Sequence, residues 1–463
     1  MRELFIHRIL RIIDNHEVAF MSEWSLASWR QFSYEQAANY PNENQLERVV
    51  EQLSQLPPLV TSGEIKNLKR AIAKAGRGEA FILQGGDCAE SFKDCRSDII
   101  SNKLKILLQM SLILIHGLRK PIIRVGRIAG QYTKPRSSDH ETIDGITLPS
   151  YRGDLVNSLQ FDAASRVPNP KLMLQGYSCA AMTLNFVRAL LDGGFADLNN
   201  PERWDLRFVE HSPQADEYHE IVHSLSKSLE FMEAIDGFRS SNLNKVDFYT
   251  SHEALHLHYE QALTRHLHDE LWYNLSTHLP WIGMRTAKLG SAHLEFLRGV
   301  QNPIGIKIGP SATQEWLQEI LKILNPKGEE GRLLLITRLG AKEINKLLPP
   351  LIETVQKSKS PVTWSCDPMH GNTETTSDGI KTRHFDNILS ELQQAVKIHH
   401  EMNSYLGGVH FELTGDNVTE CIGGARGLNQ DDLKHAYRSL VDPRLNYEQS
   451  LEMAIKLSKE FNS

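Results

Sequence analysis

Eight short apolar stretches, spaced by helical patterns, constrain this chain more than any other feature. They lie at 80–83, 121–125, 246–250, 279–282, 303–308, 332–337, 361–366 and 409–413, and read as strands bounded by turn residues. Between most of them apolar residues recur with helical spacing, at 101–118, 312–324, 341–355 and 385–403. Parallel strands need a crossover long enough to hold a helix, so this alternation predicts a parallel sheet. Eight such units are the number that closes a barrel. The expected fold class is α/β, a (β/α)8 TIM barrel.

A chain of 463 residues exceeds what a plain barrel needs, and two additions take up the excess. Residues 1–57 form an N-terminal extension, with Trp24, Trp29 and Phe32 expected to pack it down, and residues 58–463 form the barrel domain. The interval between the second and third stretches is too long for one crossover. Helix-like runs at 170–192 and 215–235 put inserted helices at about 157–245, after the second strand. With 40% hydrophobic residues the chain can bury a sizeable core.

A formal net charge of -6 argues against nonspecific binding to nucleic acid or to an anionic membrane. Five cysteines without paired spacing point to a reducing compartment, and the chain is expected to be cytoplasmic. The apolar run at 5–13 is broken by Arg8 and Arg11 and is far shorter than the roughly 20 residues that span a bilayer. Glu3, Asp14 and Glu17 disfavour a transit peptide, and Met21 is an alternative start.

Barrel enzymes carry their chemistry at the C-terminal ends of the strands. There the chain has Cys88, Arg127, Glu253, Arg285, Lys307, Arg338, His370 and Glu412. A thiol, an imidazole and a carboxylate make Cys88, His370 and Glu412 possible metal ligands. Taken singly, each has a plainer reading: surface ion pair, structural histidine, inert buried thiol or half of a buried pair. Eight such residues in register outweigh those readings. Cys95, Cys179, Cys366 and Cys421 are expected to be structural.

Five blocks then carry a resemblance: Leu83 to Phe92 (LQGGDCAESF), Arg127 to Arg136 (RIAGQYTKPR), Asp367 to Thr373 (DPMHGNT), Lys381 to Phe385 (KTRHF) and Asn417 to Gly424 (NVTECIGG). In this order, from about Trp24 to the C-terminus, the chain resembles type II 3-deoxy-D-arabino-heptulosonate 7-phosphate (DAHP) synthase, which opens the shikimate pathway. The resemblance implies condensation of phosphoenolpyruvate with erythrose 4-phosphate, using one divalent metal per subunit on Cys88, His370, Glu412 and Asp442. This donor set suits Mn or Co, with Fe or Zn as further candidates, better than Mg. Arg127, Arg285, Lys307 and Arg338, with Met284 beside them, match the phosphoenolpyruvate positions. Arg136, Ser137 and Lys381 are expected to receive the phosphate of the second substrate. Lys134 is the candidate proton donor to the new alkoxide. The resemblance also implies a homodimer or homotetramer and an aromatic amino-acid inhibitor.

The chain departs from the family pattern in three places. Met284 stands where the family usually has Glu, removing a carboxylate able to orient the attacking water; Glu253 is the candidate replacement. Val441 stands where some relatives have Cys, which rules out a disulfide from that position to Cys88, and Asp416 replaces a common Glu. Two alternatives follow: an amino-DAHP synthase with an amino-sugar acceptor, and a regulatory paralogue that binds without turnover.

Overall fold

The structure, a computed structural model, describes residues 23–193, 216–217, 219–220, 223–224, 227 and 247–461. The run at 5–13 and most of the helix-like run at 215–235 lie outside the described residues. Eight parallel strands close into a barrel: β1 (Phe81–Gly86), β2 (Ile122–Arg127), β3 (Phe248–Glu253), β4 (Leu279–Ile282), β5 (Ile304–Ile308), β6 (Leu333–Thr337), β7 (Thr363–Cys366) and β8 (Leu406–Glu412). Each pairs with its successor, and β8 pairs back onto β1. Most strands are buried throughout, as expected when helices cover the outside of a parallel sheet.

Helices α1 (Glu43–Ser54) and α2 (Ser62–Gly76) precede β1. A capping box, Thr61 with Glu64, starts α2. Its Leu68, Ile72 and Ala75 pack among Ile82, Val125, Leu279, Leu334 and Ile336 of the strands, so α2 closes one end of the barrel. The carbonyl of Ile72 accepts from Thr363 Oγ1 at the start of β7. Close approach of this helix also explains why β8 begins at Leu406 and not at the expected 409. Gly407 and Gly408 look like strand breakers, but a Cβ on Gly407 would stand 2.9 Å from the Ala75 carbonyl oxygen. One on Gly408 would stand 2.6 Å from the Ile82 Cβ.

Helix α3 (Ser97–Leu118) follows β1, and the inserted helix α4 (Leu172–Asp192) packs beside it. Among the described residues α3 is the one helix long and apolar enough to cross a membrane, and 67% of its apolar window is buried. It lies against β2, α4 and the C-terminal helix. The remaining crossovers hold α5 (Leu257–Ala262), α6 (Ala292–Arg298), α7 (Gln314–Leu324), α8 (Ile344–Ser358), α9 (Phe385–Glu401) and α10 (Tyr447–Glu460). The N-terminal segment packs on the β3 and β4 crossovers. Trp24 Nε1 donates to the Glu295 carbonyl at 2.9 Å, and Trp29 is 2% exposed. Phe32 packs against the same core.

Candidate active site at the barrel mouth

The closing seam of the barrel sets the site. Gly86, the last residue of β1, pairs with Arg127 on β2 and with Glu412 on β8, so three strand ends share one level. Its φ of +145° and a virtual Cβ only 2.6 Å from the Arg127 carbonyl oxygen require glycine. Across it, Arg127 Nη2 donates to Glu412 Oε1 at 3.1 Å and to the Cys88 carbonyl at 3.1 Å. Arg127 Nη1 meets His410 Nε2 at 2.7 Å; burial holds His410 well below the usual histidine range, so the neutral ring accepts. The guanidinium lies 5.2 Å from the Trp281 ring centroid.

Three of the four candidate ligands, Cys88, Glu412 and Asp442, meet beside this level, while His370 reaches Glu412 but stands outside the mutually close group. The donor atoms of Cys88, Glu412 and Asp442 all lie within 4.8 Å of one another. Cys88 Sγ is 3.4 Å from Asp442 Oδ2, and His370 Nε2 is 3.0 Å from Glu412 Oε1. Metal bonds of about 2.0–2.3 Å put neighbouring donors of a tetrahedral site roughly 3.3–3.8 Å apart, and the Cys88–Asp442 separation lies in that range. A cation already bridges two of the donors: Lys134 Nζ donates to Cys88 Sγ at 2.6 Å and to Asp442 Oδ2 at 2.5 Å.

The electrostatics follow from burial among charges. Burial and the Glu412 carboxylate push the Cys88 thiol up, which keeps it protonated without a metal to replace the proton. Burial opposes the charge on Lys134, but the Asp442 and Glu412 carboxylates outweigh it and hold the ammonium above its ordinary value. Glu412 is also fully buried, yet His370, Arg383 and Arg127 keep it ionised, far below the carboxylate range.

Two partners have no assigned role in the sequence reading. Asp367 is 0% exposed, and its Oδ2 meets His370 Nδ1 at 2.7 Å, which fixes the ring with Nε2 toward Glu412. The same oxygen binds Lys307 Nζ. Arg383, also 0% exposed, places Nη1 2.8 Å from Glu412 Oε2, donates to the Pro443 carbonyl, and donates through Nε to Thr373 Oγ1 at 2.9 Å. Both residues stand inside the blocks quoted above, and Asp367 precedes His370 by three positions. That spacing after a strand is the signal that marks it.

A cavity of about 120 Å³ opens onto these groups and is lined by Arg127, Lys134, Glu253, Met284, Arg285, Lys307 and Arg338 with the four candidate ligands. Burial pushes Lys307 down to about 8 although Asp367 works the other way. Burial raises Glu253 against the pull of Lys134 and Arg127, and its Oε1 has no hydrogen-bond partner among the described residues. Glu253 packs over Gly283, where a Cβ would stand 2.0 Å from that oxygen. Arg338 Nη1 approaches Met284 Sδ at 3.4 Å.

The acceptor-side residues are more scattered. Lys381 Nζ lies 3.1 Å from Asp442 Oδ1, and Ser137 Oγ accepts from Arg285 Nη2 at 3.0 Å. Arg136 is turned onto Glu141 at 2.9 Å, in the hairpin His140–Ile143 and Ile146–Pro149, and does not line the cavity. A larger cleft of about 590 Å³ lies behind Cys88, but its cations, the buried Lys103 and the partly buried Arg444, are both bound to Asp87.

The profile described as the Class-II DAHP synthetase family matches residues 24–458. The chain is 45% identical over 455 residues to a phospho-2-dehydro-3-deoxyheptonate aldolase of Neurospora crassa, covering 95% of this chain and 94% of that protein. It is 45% identical over 435 residues to the protein of that name from Streptomyces coelicolor, covering 94% and 96%. A third relative, Phospho-2-dehydro-3-deoxyheptonate aldolase AroG of Mycolicibacterium smegmatis, is 43% identical over 413 residues, 88% of each chain.

Proposed function

The chain belongs to the class-II DAHP synthetase family, and from that premise we propose that it condenses phosphoenolpyruvate with D-erythrose 4-phosphate and water, releasing DAHP and inorganic phosphate. It is an enzyme, a 3-deoxy-7-phosphoheptulonate synthase. The observation that carries the substrate reading is the meeting of the Cys88, Glu412 and Asp442 donors beside a cavity edged by five cations, Arg127, Lys134, Arg285, Lys307 and Arg338. Phosphoenolpyruvate brings a phosphate and a carboxylate, which Arg127, Arg285, Lys307 and Arg338 would bind with forked and point charges. The neighbouring Met284 adds its backbone.

Cys88, His370, Glu412 and Asp442 would hold a divalent metal, Mn or Co by the softness of the set with Fe and Zn also compatible, and it supplies Lewis acidity toward the aldehyde oxygen. Lys134, among these donors, would hand a proton to the alkoxide that forms when C3 of phosphoenolpyruvate bonds to the aldehyde carbon. Glu253, with an unengaged oxygen in the cavity, would hold the water that attacks C2. Loss of phosphate then completes the balance. Lys381, Ser137 and Arg136 would take the acceptor phosphate, Arg136 after leaving Glu141.

One observation favours a second reading. Since Arg136 is engaged by Glu141, the acceptor side is the part of the site that differs most from the expectation, and an amino-sugar analogue would change acceptor contacts while using the same metal and phosphoenolpyruvate groups. The reading further includes the extension at 1–57, the barrel domain at 58–463 with its inserted helices at about 157–245, a cytoplasmic homodimer or homotetramer, and an aromatic amino-acid inhibitor. The deciding experiment follows phosphoenolpyruvate absorbance in metal-free protein with erythrose 4-phosphate, before and after Mn or Co is added. Metal-dependent consumption with phosphate release is expected. Tight phosphoenolpyruvate binding without consumption would reject this acceptor or turnover itself.

A further inference from the structure

Cys88 and Asp442 stand 354 positions apart, and neither lies in a strand, yet their donor atoms are 3.4 Å apart. Two loop-borne groups that carry negative charge when they bind a metal repel each other at that distance, so something must hold the loops. A buried chain of charges runs between them. Asp87, next to Cys88 and 1% exposed, accepts from Arg444 Nη1 at 2.5 Å. Arg444, two residues beyond Asp442, forks its Nε and Nη2 onto Glu420 at 3.0 and 2.8 Å. Glu420 is 0% exposed and also accepts the backbone N–H groups of Arg438, Ser439 and Arg444 at 3.1, 2.7 and 2.8 Å. One carboxylate thus gathers both ends of the segment that carries Asp442, and one guanidinium ties it to the residue before Cys88.

Stability alone does not account for such a chain. Buried ion pairs return little net stability, because desolvation cancels most of the attraction, which leaves a role in fixing geometry as the reading to test. Each member here is within two positions of a candidate ligand or fastens the loop that bears one. We propose that Arg444, held between Asp87 and Glu420, is a positioning residue that sets the Cys88–Asp442 separation and thereby the affinity for a divalent metal. The proposal rests on the reading of those two residues as ligands.

The test is a Co(II) titration of metal-free, full-length protein, followed by the thiolate-to-cobalt charge-transfer absorption, which needs the Cys88 sulfur on the metal. Arg444→Lys keeps the charge but replaces a fork that spans two carboxylates with a single ammonium, and Asp87→Asn removes the other end of the same tie. Each is expected to raise the Co(II) dissociation constant about 10- to 100-fold, the usual effect of losing a ligand's supporting partner. The double variant should be no more than about threefold weaker than the worse single one, because the residues act as one unit. The metal-free melting temperature of Arg444→Lys should stay within a few degrees of wild type, whereas Asp87→Asn also takes the closest carboxylate from the buried Lys103 and is expected to melt lower. Variants that bind Co(II) within about threefold of wild type would overturn the proposal. So would an affinity loss that tracks collapse of the metal-free melting transition in both, since the chain of charges would then be a general support. Absence of the absorption band in wild type would reject the ligand reading itself, and the positioning role with it.

Discussion

At position 284 a thioether rests on a guanidinium, and Met284 is 40% exposed. A glutamate here would pair with Arg338 and take part of that charge away from an incoming anion. Exposed pairs of this kind are worth up to about 1 kcal/mol, which is about fivefold in affinity. Met284→Glu is therefore expected to raise the phosphoenolpyruvate KM about two- to fivefold and to leave kcat within about threefold of wild type. A tenfold gain in kcat would show that the missing carboxylate had been limiting. The converse prediction concerns Glu253, whose carboxyl faces the cavity with one oxygen unengaged. Glu253→Gln keeps the shape and removes the base, so kcat should fall about 10²- to 10⁴-fold with little change in KM. Steady-state kinetics with kcat unaltered would end that assignment. Strand-end position singled out Cys88, His370 and Glu412 as candidate ligands, and Asp442 entered only through the family resemblance. Neither gave a role to Asp367 or Arg383, since a carboxylate that orients an imidazole and one that binds a metal look identical until the distances are known.

The segment before β1 meets the barrel through imidazoles. Tyr40 Oη lies 2.7 Å from His256 Nε2, and the Tyr259 N–H donates to His256 Nδ1. His256 therefore has Nε2 protonated and Nδ1 as acceptor, and a second proton would face a donor. Burial holds His256 down to about 3, and His258 and His293 down to about 4. The rings of His258 and His293 lie 6.0 and 5.4 Å from that of Tyr34. The unfolded chain takes up these protons near the ordinary histidine value of 6.5, while the folded chain does not until about pH 4. Stability is thus fully present above pH 6.5 and is lost as pH falls toward 4, by up to about 1.4 kcal/mol per pH unit for each imidazole. Tryptophan-detected melts from pH 7.5 to 5 should show a falling midpoint below 6.5, with a shallower fall in His256→Asn. A midpoint flat across that range would refute the account. At this scale the eight strands were legible from their apolar runs, as were α3, α4, α7, α8 and α9 from their spacing. Helices α2 and α10 were not assigned, although each begins with a capping box, at Thr61 with Glu64 and at Asn446 with Gln449. A helix that plugs a barrel end, or packs along another helix, shows its partner only in three dimensions.

Over the whole molecule, the candidate ligands come from four places: the loop after β1, the turn His370–Asn372 after β7, the end of β8, and the segment before α10. A metal held there would tie together the first strand, the last two and the C-terminal helix, which is the seam where the barrel closes. Parallel closure was legible in the alternation of elements. The location of the site on that seam was not, because it depends on β8 returning to β1 in register at Gly86 and Glu412. Lys134 and Lys381 face Asp442, and Arg127 and Arg383 face Glu412, so the protein's own cations compensate these carboxylates. The protection added by metal should therefore be moderate and local. At a metal concentration 100 times the dissociation constant, linkage contributes about 2.7 kcal/mol. Amide hydrogen exchange of metal-free and Mn-loaded protein is expected to differ in the segments around Cys88, Glu412 and Asp442. Strands β4 and β5, on the far side of the barrel, should exchange alike in both states, because they open only with the rest of the fold. Protection spread evenly over all eight strands would mean that metal acts on global stability and not on the seam, and no change at the seam would remove the metal from those four residues.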